Sequence, residues 1–181
     1  MDDSHFTLRF DLKPGDHKRI RSIAESVNAF NRDELDIVEE LAIDNIEKSA
    51  GKSDYQFLLC ENDTDIIGYT CYGHIRGTKS SYDLFWIVVC DGFRGEGIGK
   101  KLLAHTEERI CGCGGKKIYV ETSSKDSYYS SRQFYCKCGY TIEAVFKDFY
   151  DDKDDKVVYL KKDRKSVVVG KSVDIGGGRL N

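Results

Sequence analysis

The sequence predicts an α/β fold in which one mixed, mostly antiparallel sheet contains a parallel βαβ unit at its centre. Two observations predict it. Residues Leu84–Val89 form a continuous apolar run, which is typical of a strand that is buried on both faces. A glycine-rich segment and a helical pattern follow this run, and another strand pattern begins at Lys117. Since a strand, a helix and a strand in succession make a βαβ unit, these two strands are expected to be parallel.

The chain begins with one strand pattern and two helical patterns. Apolar and polar residues alternate over residues 5–12, which predicts a half-buried strand. Asp16 is expected to cap the first helix. Asn31 and Glu34 have the spacing of a capping box, which marks the start of the second helix.

The rest of the chain alternates short strand patterns with two more helices. The helix that follows the glycines is expected to end at Gly112, and a short helix is predicted over residues 127–137. The remaining strands are predicted at 55–60, 66–75, 82–89, 117–122, 141–150 and 156–161. The order is then β-α-α-β-β-β-α-β-α-β-β, and residues 1–162 are expected to form one domain.

The composition is typical of a globular protein without a membrane or nucleic-acid partner. Of the 181 residues, 40% are hydrophobic and 33% are charged, and the net charge of −3 disfavours nucleic acid. No apolar run approaches the ~20 residues that span a bilayer, and the N-terminus lacks the apolar region of a signal peptide. The seven cysteines are expected to be reduced thiols, so we expect a cytoplasmic protein.

Two C-x-C pairs raise the question of a metal site. Cys111 and Cys113 form one pair, and Cys136 and Cys138 form the other. Zinc sites usually have about two to four residues between their paired cysteines, which is a wider spacing than in these pairs. We therefore expect free thiols and no bound metal.

The glycine-rich segment contains Arg94, Gly95, Gly97 and Gly99. Glycines between a strand and a helix let backbone N–H groups converge on one point, and the helix terminus adds roughly half a positive charge. The segment is therefore expected to bind an anion such as a phosphate. It lacks the last glycine of the G-x-G-x-x-G dinucleotide fingerprint, because position 100 is Lys100.

Arg94, Gly97 and Gly99 spell R-x-x-G-x-G, and after a buried strand this pattern resembles the acyl-CoA pyrophosphate loop of the GNAT acetyltransferase superfamily. A second family landmark, F-Y-x-x-x-G-Y, runs from Phe134 to Tyr140. The predicted order of elements is that of the GNAT fold over nearly the whole chain. The resemblance implies a single-domain GNAT fold whose twisted sheet carries helices on both faces.

The resemblance also implies that acetyl-CoA is the acyl donor. Tyr135 corresponds to the family tyrosine that faces the CoA sulfur, where a phenol would act as general acid. Backbone groups of the apolar strand would bind the pantetheine arm and aim an N–H at the thioester oxygen. The residues expected to bind the donor are Ile87, Val88, Val89, Arg94, Gly95, Glu96, Gly97, Ile98, Gly99 and Lys100.

Two carboxylates are candidates for the base that takes a proton from an acceptor amine. Asp83 lies early on the apolar strand and is expected to alternate in phase with Phe85, Ile87 and Val89. Glu121 lies at the end of the neighbouring strand. For each acid, a solvated charge at a strand end stays open as the other interpretation.

Two further features bear on the site. Many family members carry asparagine seven residues before the tyrosine, but this chain has Tyr128, so that CoA contact is not carried over. The loop between the last two strands is either a solvated hairpin turn or a surface that attracts a cationic amine. Its five aspartates are Asp148, Asp151, Asp152, Asp154 and Asp155.

The chain is thus predicted to be an N-acetyltransferase that moves an acetyl group directly from acetyl-CoA to a primary amine of a small molecule or peptide. Two alternatives stay open: a non-catalytic acyl-CoA sensor on the same fold, and an unrelated α+β interaction domain whose glycine loop only packs. The resemblance is compatible with a homodimer.

Residues 163–181 are predicted to form an irregular C-terminal tail. The start of this tail resembles a translated sequencing-library adapter. Two interpretations therefore stay open, a native C-terminal segment and non-native sequence, and the genomic reading frame distinguishes them.

Overall fold

The computed structural model describes residues 6–49 and 51–163, which form seven strands and four α-helices. The strands are β1 (Thr7–Arg9), β2 (Gln56–Glu61), β3 (Ile66–His74), β4 (Ser81–Val89), β5 (Lys117–Ser123), β6 (Thr141–Asp151) and β7 (Asp154–Lys162). The helices are α1 (Asp16–Ser26), α2 (Arg32–Lys48), α3 (Ile98–Gly112) and α4 (Tyr129–Lys137). Of the predicted tail, only Asp163 lies within the described residues.

All the strands join in one sheet of order β1-β2-β3-β4-β5-β7-β6. Every neighbouring pair is antiparallel except β4 and β5, the two strands that flank α3 in the chain. The predicted mixed sheet with one central parallel crossover is therefore confirmed. Across residues 6–49 and 51–163, no helix has both the length and the apolar character that crossing a bilayer requires.

The helices cover both faces of the sheet. The packing of β2 side chains shows this, because successive side chains of a strand point to opposite faces. Leu59 packs with Ile20 of α1 and Val38 of α2, whereas Leu58 packs with Leu102 of α3. Helix α4 lies on the same side as α3, since their buried residues share one cluster. We call the two sides the α1–α2 face and the α3–α4 face.

The capping prediction is confirmed for α2 and wrong for α1. The Glu34 N–H donates to the Asn31 side chain at 2.9 Å, and the Asn31 N–H donates to the Glu34 carboxylate at 2.7 Å. At α1 the N-cap is Gly15, whose φ of 97° lies in the left-handed region. Asp16 is already helical, and its carboxylate accepts the N–H of Lys13 at 2.7 Å. The carboxylate therefore closes the preceding turn and does not cap the helix.

Strands β6 and β7 extend further into the acidic segment than predicted, and only Asp152 and Lys153 join them. The extension is stabilised at Asp154, which is 4% exposed. Its carboxylate accepts a hydrogen bond from Ser123 Oγ and lies 3.1 Å from Lys125 Nζ. Asp154 therefore stabilises the β6–β7 hairpin.

Candidate active site

Strands β4 and β5 begin as neighbours and then separate. Their parallel pairing covers only Ser81–Asp83 against Lys117–Tyr119. Beyond it, β4 stays paired with β3 as far as Val89, and β5 stays paired with β7 as far as Ser123. An opening therefore starts beside Asp83 and leads to the carboxyl ends of both strands. We call it the β4–β5 wedge.

The backbone of β4 is available on the wedge side at alternate residues. The Cys90 N–H donates across to a carbonyl of β3 at 2.9 Å. Because alternate residues of an antiparallel pair direct their peptide groups the same way, Val88 also faces β3, and Ile87 and Val89 face the wedge. In agreement, the Val89 carbonyl accepts a hydrogen bond from Arg94 Nε at 3.5 Å. Two of the three strand residues expected to bind the donor thus turn their N–H groups into the opening.

The glycine loop follows β4 and starts α3. Gly95 and Gly97 have φ of 87° and 81°, in the left-handed region that favours glycine, and Gly97 is the N-cap of α3. A Cβ at either position would meet no atom within 4 Å, so this side of the loop is open. The N–H groups from Gly95 to Lys100 donate to no residue that the structure describes. Six adjacent unpaired amides at a helix start without an acid in its first turn suit an anion.

The side chains of the loop divide between an apolar base and a charged rim. Ile98 is 2% exposed and packs into the core under α3. Glu96 and Lys100 are exposed. Arg94 is also exposed, and its guanidinium lies 3.0 Å from the Asp91 carboxylate. Ile98 therefore anchors the loop to the core, while the charged side chains of Arg94 and Lys100 remain accessible to solvent.

Tyr135 lies in α4 and is 6% exposed. Its ring packs with those of Phe134, Tyr140 and Tyr159, at centroid distances of 5.5, 5.7 and 6.1 Å. Burial raises the pKa of Tyr135 well above its ordinary value, with a smaller contribution from Cys138. Its hydroxyl has no hydrogen-bond partner within the described ranges. The phenol is therefore protonated at neutral pH and has a free donor.

The two sequence motifs meet in the fold. A Cβ placed on Gly99 would lie 3.7 Å from the Phe134 ring and 3.8 Å from the Val89 side chain, which are ordinary contact distances. Phe134 precedes Tyr135 in α4, and Ile87 packs against the cluster that contains Tyr135. The end of β4, the start of α3 and the Phe134–Tyr135 segment of α4 are therefore neighbours on the α3–α4 face.

The candidate bases lie toward the opposite face. The pairing of β3 with β4 skips Phe85, which forms a bulge. Leu84, Ile87 and Val89 all pack on the α3–α4 face, so Asp83, which precedes Leu84, points to the α1–α2 face. The expectation that Asp83 alternates in phase with Ile87 and Val89 is wrong, because the bulge reverses the alternation.

Asp83 and Glu121 differ in their surroundings. Burial raises the pKa of Asp83, the nearby Glu121 raises it further, and Lys156 acts in the opposite direction. Asp83 has no hydrogen bond or ion pair with a described residue. Glu121 is 49% exposed, and its carboxylate lies 2.7 Å from Lys156 Nζ. Asp83 is thus the unpaired and less solvated member of an acidic pair.

A pocket of about 500 Å³ opens beside Asp83. Its lining includes Tyr55, His74, Phe85 and Asp54, which come from β3, β4 and the segment before β2. Asp83 is itself one of the residues that line this pocket.

Comparison with known proteins places the chain among acetyltransferases. The model of the acetyltransferase (GNAT) domain matches residues 53–142. A Desulfovibrio desulfuricans protein of known crystal structure, assigned as an acetyltransferase of the GNAT family, is 33% identical and superposes with a TM-score of 0.84. The match covers 87% of this chain and 98% of that one. The chain belongs to the GNAT family.

Two further relatives of this GNAT protein are informative. An uncharacterised N-acetyltransferase from Methanocaldococcus jannaschii is 27% identical, over 75% of this chain and 90% of its own length. The PaiA N-acetyltransferase from Thermoplasma acidophilum, solved in complex with coenzyme A, superposes with a TM-score of 0.68. That match has 19% identity and covers 87% of this chain and 99% of the other, so it shows the fold alone. As a GNAT protein the chain is an acyltransferase.

Some contacts that position the site of this GNAT enzyme were not predicted. Arg132 donates from Nη1 to the carbonyls of Ser123 and Lys125, each at 2.7 Å, which holds α4 against the end of β5. The Tyr128 hydroxyl donates to the Ala29 carbonyl at 2.9 Å. It therefore ties the start of α4 to the connection between α1 and α2. No local pattern reports such a contact, because its partners are 99 residues apart.

Proposed function

We propose that this GNAT enzyme transfers the acetyl group of acetyl-CoA directly to a primary amine of a small molecule or peptide. The observation that carries the proposal is the β4–β5 wedge. On one face it joins the unpaired amides of the glycine loop to Tyr135, and at its base it reaches Asp83, which points to the other face. Donor and acceptor can therefore approach from different faces and meet in the opening.

Acetyl-CoA supplies an acyl group that is activated as a thioester. The unpaired amides from Gly95 to Lys100 would hold its diphosphate, and Arg94 adds positive charge at the rim. The N–H groups of Ile87 and Val89 would bind the pantetheine arm and the thioester oxygen. Apart from Arg94, all these hydrogen-bond donors are backbone N–H groups, so the backbone conformation would provide most of the contacts to acetyl-CoA.

Transfer requires proton movement at two points. Asp83 takes a proton from the acceptor ammonium, directly or through a water, and passes it to solvent. It is favoured over Glu121 because it is unpaired and its pKa is raised. As the C–N bond forms and the C–S bond breaks, the nitrogen loses its second proton to solvent, Tyr135 donates a hydrogen bond or its phenolic proton to the leaving sulfur, and solvent restores the phenolic proton.

The surroundings of the two acids favour a cationic acceptor. Carboxylates attract ammonium ions, and aromatic faces bind them through cation–π contacts. Asp83 provides an unpaired carboxylate, and Phe85, which lines the same pocket, provides an aromatic side chain. Lys156 shows that a cation is bound in surroundings of this kind, because its Nζ lies 2.7 Å from the Glu121 carboxylate and 4.7 Å from the Phe149 ring centroid.

The cytoplasmic location stays a prediction from the sequence.

Release of the CoA thiol from acetyl-CoA, measured with a panel of primary amines, tests this proposal. We expect turnover with at least one amine and none when the amine is omitted. Calorimetric binding of CoA without thiol release from any amine would favour the sensor alternative. Failure to bind CoA would overturn both functions.

A further inference from the structure

One primary amine of the chain itself lies in surroundings of the kind proposed for the acceptor. The Lys156 ammonium group is 2.7 Å from the Glu121 carboxylate, and the lysine side chain is 17% exposed. The ring centroid of Phe149 lies 4.7 Å from the same nitrogen. Apart from Lys161, every other lysine within residues 6–49 and 51–163 is exposed. Because lysines are rarely withdrawn from solvent, the position of Lys156 indicates a specific role.

The strand register brings this amine to the β5 side of the wedge. Asp83 and Tyr119 are the last paired residues of β4 and β5, and Glu121 follows Tyr119 on the same face of the sheet. On β7, Lys156 lies across from Ser123, so its side chain reaches back diagonally to Glu121. The ammonium group is therefore held where β5 begins to leave β4.

Lys156 also lies on the same face as the candidate base. Val157, the next residue of β7, packs on the α3–α4 face, so Lys156 points to the α1–α2 face, as Asp83 does. The charge of Lys156 acts on Asp83 electrostatically, so the two groups are near one another. In the proposed function the acceptor approaches from this face. The chain's own amine thus occupies the side of the wedge where an acceptor would be activated.

We infer that Lys156 is a self-acetylation site, which receives one acetyl group from acetyl-CoA when no other amine is present. The inference rests on the proposed use of acetyl-CoA as donor. The ammonium group gives one proton to the Glu121 carboxylate, which passes it to solvent, and the free amine attacks the thioester carbon. As the C–N bond forms and the C–S bond breaks, the nitrogen loses its second proton to solvent. The sulfur takes a proton from Tyr135, and solvent restores the phenol.

The products are an acetylated Lys156 and the CoA thiol. The new amide is neutral, so Glu121 loses its cationic partner and the same nitrogen cannot react again. At most one thiol is therefore released per chain, which distinguishes self-acetylation from turnover of an added amine.

The test is to incubate the full chain with acetyl-CoA alone and to locate acetyl groups by mass spectrometry of the intact protein and its peptides. We expect one acetyl group per chain, on Lys156, at a rate that is independent of protein concentration because transfer is within the chain. Lys156→Arg keeps the charge and should lose this acetyl group. Lys161 is the matched control and should stay unmodified. It also lies on β7, 2.6 Å from the Glu107 carboxylate and 33% exposed, but it packs over Tyr140 on the α3–α4 face.

Excess CoA separates transfer within the site from chemical acetylation. It should slow acetylation of Lys156 at least about tenfold by occupying the donor site, and exposed lysines such as Lys147 should not respond. Acetyl groups on exposed lysines with Lys156 unmodified would overturn the inference, as would acetylation of Lys156 that CoA does not slow. A chain that acetylates an added amine but never Lys156 would overturn the inference and leave the proposed function intact. Failure to bind CoA would overturn both together.

Discussion

Lys156 holds its ammonium group 2.7 Å from the carboxylate of Glu121, and the lysine side chain is only 17% exposed. The ring centroid of Phe149 lies 4.7 Å from the same ammonium group. Glu121 is therefore engaged in an ion pair. Asp83 responds electrostatically to both partners but has no partner of its own in the described structure. Because only Glu121 is in an ion pair, neutralising each acid in turn distinguishes the two candidate bases.

Asp83→Asn is expected to lower kcat/KM for the amine by about 10²–10⁴-fold, the usual contribution of a positioned base. Glu121→Gln, the matched neutralisation, is expected to cost about tenfold or less, because Glu121 already binds Lys156. Both values come from thiol release at saturating acetyl-CoA. The reverse ranking would assign the base to Glu121, and two unaffected variants would exclude both acids.

Lys156→Met is expected to move the pH dependence of the reaction. Lys156 opposes the rise in the pKa of Asp83, so its removal raises that pKa further. A base acts when it has lost its proton, so the acidic limb of the profile of kcat/KM against pH should shift to higher pH. The measurement is that profile for the wild type and the variant. A limb that stays in place would show that Asp83 does not control the rate.

Tyr135→Phe is expected to lower kcat by about 10²–10⁴-fold and to leave the melting temperature unchanged. The melting temperature is expected to stay unchanged because the Tyr135 hydroxyl makes no hydrogen bond within the described protein. The matched control is Tyr140→Phe in the same cluster, where the hydroxyl donates to the Glu107 carboxylate at 3.0 Å. That variant should lose about 1.5–3 kcal/mol of unfolding free energy and keep its kcat. Full activity in Tyr135→Phe would remove the tyrosine from the mechanism.

Gly97→Glu is expected to weaken CoA binding at least about tenfold, because it sets a carboxylate beside the unpaired amides at the start of α3. Gly77→Glu is the control, since Gly77 has the same left-handed φ, 82° against 81°, and the same open surroundings in a distant turn. Both variants carry a similar backbone strain of about 1–2 kcal/mol. Calorimetry with CoA compares them. Equal affinities in the two variants would mean that the loop does not hold the diphosphate.

Asp154→Asn is expected to destabilise the fold at neutral pH and to have less effect in acid. The hydrogen bond from Ser123 is the main cause of the lowered pKa of Asp154, and Lys125 contributes. A carboxyl whose pKa is lower in the folded chain stabilises the fold above its unfolded value of ~3.9 and loses this effect on acidification. The melting temperatures of wild type and variant should therefore converge as the pH falls below that value. A constant difference across the series would contradict the assignment.

Local patterns were sufficient for the elements and their order. The apolar run before the glycines predicted β4, and the spacing of Asn31 and Glu34 predicted the start of α2, because each signal involves residues a few positions apart. The parallel direction of β4 and β5 followed from the crossover helix between them. The glycines of the anion loop were also recognisable, since Gly95 and Gly97 take up conformations that their own residue type permits.

Contacts between distant segments were beyond such patterns. The bulge at Phe85, which turns Asp83 to the α1–α2 face, depends on the register between β3 and β4. The wedge exists because β5 stays with β7 after leaving β4, and the ion pair of Lys156 with Glu121 follows from that same pairing. Periodicity within one strand reports which residues alternate, but the packing of the whole sheet sets the register. That is why the tertiary structure alone assigns each acid to a face and to a partner.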